Sequence, residues 1–182
     1  MLRAGYDSGM RNFLLGILLT VAVLAVGGYL YFALGIAPVA TASQPMPFET
    51  HMAKLALHAR INKEMPTVVP VAADVHAYTA AVPLYRAHCA VCHGLPGQPQ
   101  SAVAQGMFPD PPKLFPGKGV SDDPAGETYW KVTNGIRLTG MPSFDKTLSE
   151  TQRWQLSVML AHSNELPAQI MQALSAPLPQ QP

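Results

Sequence analysis

Twenty-five consecutive residues, Phe13 to Ala37, carry no charge. As a helix rising about 1.5 Å per residue, the run reaches roughly 37 Å, enough for a hydrocarbon layer about 30 Å thick. A small domain has no interior that long, so a buried core helix is a poor reading. A cleavable export signal would need an apolar stretch of only about 7–15 residues. Ala40-Thr41-Ala42 offers such a signal a cleavage site, but the length favours an uncleaved transmembrane anchor over 13–37. Arg3 and Arg11 precede the run, whereas the next charge after it is Glu49 and the next cation Lys54. Basic residues favour the cytoplasmic side, which puts residues 1–12 inside and the rest of the chain outside. Tyr29, Tyr31 and Phe32 stand where an outer aromatic belt would lie.

The remaining chain changes character several times. Residues 38–75 read as a linker, extended where Ala, Pro, Thr and Ser dominate. Within it, 48–65 forms a short amphipathic helix between Pro47 and Pro66, with Met52, Leu55 and Ala59 at helical spacing. That helix also carries His51, Lys54, His58, Arg60 and Lys63. It reads either as a linker with a solvated basic face or as a surface for membrane lipid or a partner subunit. A globular pattern runs from 76 to 165. Residues 166–182 end in Pro-Leu-Pro-Gln-Gln-Pro and read as a flexible Pro-rich tail. Net charge is only +1, so the basic footprint of a nucleic-acid binder is missing.

Both cysteines fall in one pentapeptide, Cys89-Ala90-Val91-Cys92-His93. This C-x-x-C-H pattern is that of covalent c-type haem attachment. The two thiols add across the porphyrin vinyl groups, and the adjacent His becomes the proximal iron ligand. A thioredoxin-like redox pair would want a βαβ context, which is not visible, and a zinc site would need more ligands. With no second such motif there is one haem per chain. A low-spin carrier needs a sixth ligand, and a thioether raises the reduction potential. Met141, in Gly140-Met141-Pro142, is the candidate: Gly140 lets the backbone approach closely and Pro142 stiffens the loop. Met107, in Gln105-Gly106-Met107-Phe108, competes from a second loop, whereas Met159 suits core packing.

With these motifs in place, residues 76–165 resemble a class I cytochrome c, the small monohaem type. Leu84-Tyr85 lead into the haem motif, Gly140-Met141-Pro142 follows it, and Leu148 to Leu156 form a last helix. Ser149 and Gln152 make a capping box for that helix. Asp123 is placed to cap a third helix through Tyr129 and Trp130, which Gly135 ends. The resemblance implies an all-α fold, one N-terminal transmembrane helix plus a small helical domain around one covalent haem c, with His93 and Met141 on its iron. It further implies that the first and last helices cross and close the core, with Tyr85 and Trp154 as the aromatic contacts at the crossing. Pro112 would offer its carbonyl to the haem His, Leu114 would line the haem, and Trp130 and Arg137 would reach a propionate. Pro83 departs from the pattern, implying a late start near Ala80 or a bend in the first helix.

The function expected is electron transfer, not catalysis. A membrane-tethered, bacterial form would face the periplasm from the inner membrane. It would pass electrons among a quinol-oxidising complex, a dehydrogenase and a terminal oxidase of a respiratory chain. The alternative is a haem c subunit of a larger membrane-bound oxidoreductase.

Overall fold

A computed structural model describes residues 3–115 and 123–176. Among these residues there are eight helices and no strand. The chain divides into two units between Pro47 and Phe48.

The first unit is built on α1, Arg3–Ala33. Its stretch Gly9–Ala33 is long and apolar enough to cross a membrane, and none of its most apolar window is buried within the protein. The helix stops four residues short of the apolar run because Gly35 turns left-handed at φ 68°. There the Gly35 amide donates to Phe32 O and the Ile36 amide to Tyr31 O, the paired bonds of a Schellman stop. Charge pattern alone does not mark such a stop, which is why the apolar run reads on to Ala37.

The second unit begins with α2, Glu49–Glu64. This helix is not a free linker. Ile61 is 1% exposed, and α2 packs on α6, Ala125–Asn134. The contact is close because Gly126 lacks a side chain: a Cβ there would lie 2.0 Å from Pro66 O.

The core is formed by α3, Val75–His88, against α7, Glu150–Ala161, with α6 also packed on α7. Asp74 caps α3, its side chain accepting the Ala77 amide at 2.8 Å. The helix therefore starts before Ala80, and it carries Pro83 within it. Its buried stripe is Ala77, Tyr78, Ala81, Val82 and Tyr85, a spacing of four that one helical face requires. Ser149 and Gln152 cap α7 reciprocally, as their spacing predicts. Leu156, Met159 and Leu160 are buried in the core.

Three expectations are corrected. Asp123 does not cap α6; Pro124 holds that position and Asp123 instead meets Lys131 Nζ at 3.1 Å. Trp154 stacks on Tyr129 at 4.1 Å, and Tyr85 meets Phe115 edge-on at 5.1 Å, so each ring of the expected Tyr85–Trp154 pair has another neighbour. The 166–182 stretch is not wholly a flexible tail, because α8, Ala168–Ser175, packs on α3 through buried Ile170 and Leu174. Arg86 of α3 donates to Ala173 O, Leu174 O and Ala176 O, satisfying carbonyls at the open end of α8. The final residues of that stretch, and part of the loop before Asp123, lie outside the described residues.

Candidate haem site

The haem motif sits where α3 gives way to a single further turn, α4, Ala90–His93. The Cys89 amide donates to Tyr85 O, and the His93 amide donates to Cys89 O. With helical geometry maintained, Cys89, Cys92 and His93 stand at i, i+3 and i+4, which share one face. Gly94, at φ 78°, ends the turn. The Tyr85 hydroxyl donates to Gly94 O at 2.6 Å, tying this turn to a fully buried ring of α3. Burial raises the Tyr85 phenol well above its ordinary range, so it stays an O–H donor.

His93 Nδ1 lies 2.8 Å from Pro112 O. A carbonyl can only accept, so Nδ1 carries the proton and Nε2 keeps its lone pair free. Burial lowers the imidazole pKa and outweighs the Pro112 hydrogen bond, which acts the other way. The result is a neutral, oriented imidazole, the form that binds a metal. The Pro112 loop is itself held, since Gln100 Nε2 donates to Pro111 O at 3.2 Å. Leu114 and Phe115 continue from it into the buried core.

Both cysteines are free thiols. Burial, helped by the neighbouring Cys92, pushes the Cys89 thiol up to about 12. Beside them α5, Ala102–Gln105, is capped by Ser101, whose hydroxyl also donates to Val91 O inside the haem motif.

Met141 sits on a separate loop after α6, partly buried against the core. Its carbonyl accepts the Ile136 amide, and its amide donates to Thr139 Oγ1. The Ser143 hydroxyl donates to Thr133 O and the Phe144 amide to Val132 O, so the far end of the loop is pinned back to α6. Gly135 makes this possible: a Cβ there would lie 2.7 Å from Pro142 C and Ser143 N. Gly140 has a different neighbour. The methyl end of Met107 lies 1.8 Å from where its Cβ would stand. Met107 and Met141 thus come from two loops that meet at Gly140. Leu138, at the loop tip, is 93% exposed with φ 60°.

The structure brings together Cys89, Cys92, His93 and Pro112. It takes Trp130 elsewhere: the indole N–H donates to Glu64 Oε2 at 3.1 Å, a consequence of α2 packing that the linker reading hid. Arg137 is exposed beside the Met141 loop. Sequence reading did not single out Tyr85 as the clamp on Gly94, nor Gln100, Ser101 or Arg153. Their hydrogen bonds run mostly to backbone carbonyls, which leave no residue pattern.

The donor set fits a haem. Among the described residues no three His, Cys, Asp or Glu side chains gather to hold a metal by themselves. An iron on His93 would need further donors, which a porphyrin would supply, and two free thiols stand within one helical turn to attach it. Residues 76–158 match the family model described as cytochrome C oxidase, cbb3-type, subunit III. No curated protein matches the chain. The family match covers the residues that carry the thiols and the oriented imidazole, so residues 76–158 form a monohaem c-type cytochrome domain, which implies a covalently bound haem c.

Proposed function

We propose that the protein is a membrane-tethered electron carrier, with α1 as a single-pass anchor and the cytochrome domain on the periplasmic side of a bacterial inner membrane. The observation that carries the reading is the neutral, Pro112-held His93 beside two free thiols, on a chain that also has one apolar helix of membrane-crossing length. When bound, the haem supplies a one-electron Fe(III)/Fe(II) couple. The chain's own residues do the rest. Cys89 and Cys92 fix the group covalently. His93 offers Nε2, with Pro112 setting its tautomer and making it a stronger donor. Met141 offers a thioether, which favours the reduced state. Leu114, buried in the core, would keep water from the apolar side, and exposed Arg137, on the Met141 loop, would pair with a propionate. With His93 and Met141 both offered to the iron, the chain would leave no position for a substrate, and the group would supply electron transfer alone.

Met141→Ala tests the ligand assignment. The oxidised wild type should show the weak red absorption of an Fe(III)–thioether bond, and the variant should lose it and show a lowered potential. Met107→Ala should keep the band. The reverse pattern would move the ligand to Met107.

The partners of a carrier so placed are a quinol-oxidising complex, a dehydrogenase or a terminal oxidase. A second reading, a fixed subunit of a respiratory oxidase or other membrane-bound oxidoreductase, is favoured by the name of the family model that matches. Purification in mild detergent separates the two. Stoichiometric co-purification of other subunits supports the fixed subunit, and an isolated chain supports the carrier.

A further inference from the structure

We propose that α2 lies on the membrane surface, its outward face seated among anionic lipid headgroups. The proposal rests on the anchor reading of α1. One side of α2 is committed to the domain, since Ile61 is buried and Glu64 accepts the Trp130 indole N–H. At about 100° per residue, Met52, Leu55 and Ala59 fall within a narrow arc on the opposite side, headed by Phe48. That stripe is open: Phe48 is 79% exposed, and Met52 and Leu55 are more than half exposed. Exposed His51 and His58 flank the stripe on one side, and exposed Lys63 and Arg60 flank it on the other. Lys54 is exposed at the edge of the domain-facing side. Of the helix's two acids, Glu64 is paired with Arg60 at 2.7 Å.

An apolar stripe bordered by cations is the pattern of an interfacial helix, with the side chains entering the headgroup boundary and the cations meeting lipid phosphates. The chain length favours lipid over a protein as the occupant. Only residues 34–48 separate the end of α1 from α2, about 50 Å at full extension. A helix on so short a lead stays near the bilayer that α1 enters.

The test uses the full-length holoprotein in vesicles of phosphatidylcholine with about a third phosphatidylglycerol. Because Cys89 and Cys92 are consumed as thioethers, a single fluorophore can be attached at Leu55→Cys or, on the domain-facing side, at Thr50→Cys. Nitroxide-labelled lipid should quench the label at 55 strongly and the label at 50 weakly. His58→Glu with Lys63→Glu, one on each side of the stripe, or replacing the anionic lipid by phosphatidylcholine, should reduce quenching at 55 severalfold. Absent quenching at 55, equal quenching at both positions, or quenching indifferent to charge would each overturn the proposal. A carbonate wash scores the anchor separately. A chain that stays in the pellet with position 55 unquenched keeps the anchor and loses the docked helix. A chain that washes off, yet was quenched at 55 beforehand, keeps the docked helix and loses the anchor.

Discussion

Gly135 and Pro142 meet backbone to backbone: a side chain at 135 would drive its Cβ to 2.7 Å from the Pro142 carbonyl carbon. Gly135 also has φ 67°, so a larger residue is strained there whatever the space. Gly135→Ala should therefore destabilise the domain by on the order of 2–4 kcal/mol and weaken the red thioether band by displacing the Met141 loop. Gly140→Ala is the informative contrast. Its new methyl would meet only the flexible end of Met107, which can swing aside. Thermal denaturation and the red band should both change little in that variant. Equal damage from the two substitutions would refute this account of the loop.

If His93 holds the iron as proposed, acid should displace it only below the ordinary imidazole range. Burial lowers its pKa from 6.5. The unfolded chain then binds the proton more tightly than the folded one, so this contribution to stability is full above pH 6.5. It is lost as pH falls from there through the lowered folded value. Spectrophotometric acid titration of the holoprotein should show the low-spin spectrum persisting through pH 6.5 and failing at lower pH. A transition centred at or above 6.5 would contradict the half-buried, Pro112-oriented imidazole.

Arg153 is 7% exposed and holds the turn that leads into α7. Its Nη1 donates to Asp145 O and Leu148 O, its Nη2 reaches the Tyr129 hydroxyl, and its guanidinium lies 5.7 Å from the centre of that ring. Arg153→Met should cost about 3 kcal/mol, because one buried and one half-buried carbonyl lose charge-assisted donors. Asp145→Asn should cost less than about 1 kcal/mol, since that carboxylate is largely in water. Denaturant titrations of both variants check the difference. The reduction potential should stay at the wild-type value in each.

Trp130→Phe removes the donor to Glu64 while keeping an aromatic ring. The expected loss is about 1 kcal/mol, with α2 cut faster in limited proteolysis and the potential unchanged. A marked shift in potential would restore the propionate role that the sequence implied. Gly126→Ala should loosen α2 more severely, because its Cβ would strike the Pro66 carbonyl, a backbone atom with little freedom.

Features encoded by residue type at fixed short spacing were legible in the sequence. The C-x-x-C-H turn, the Ser149–Gln152 box and the apolar α1 all depend on neighbours along the chain. So does the burial of Met159. What escaped depends on who meets whom across it. Gly140 looked like the residue that admits a close backbone approach, but Gly135 performs that role and Gly140 receives the Met107 side chain. Tyr85 and Trp154 were each rightly placed inside, yet their partners are Phe115 and Tyr129. The short α8 was missed because its stability comes from tertiary contact, with Ile170 and Leu174 on α3 and Arg86 at its end.

The packing of α2 on α6 alters the length of the leash. If residues 38–75 were all slack, the domain would explore a wide volume around its anchor. With α2 attached to the domain, the slack is confined to residues 34–48. Local concentration on a flexible lead falls roughly as the −3/2 power of its length, so under the proposed anchoring the shorter lead raises encounter with a membrane-bound acceptor about fourfold. The same shortening narrows the choice of acceptor. Under the proposed anchoring, the short lead holds the domain close to the bilayer, and docking of α2 would hold it closer still, so packing at a helix remote from the iron selects which proteins the cytochrome can serve.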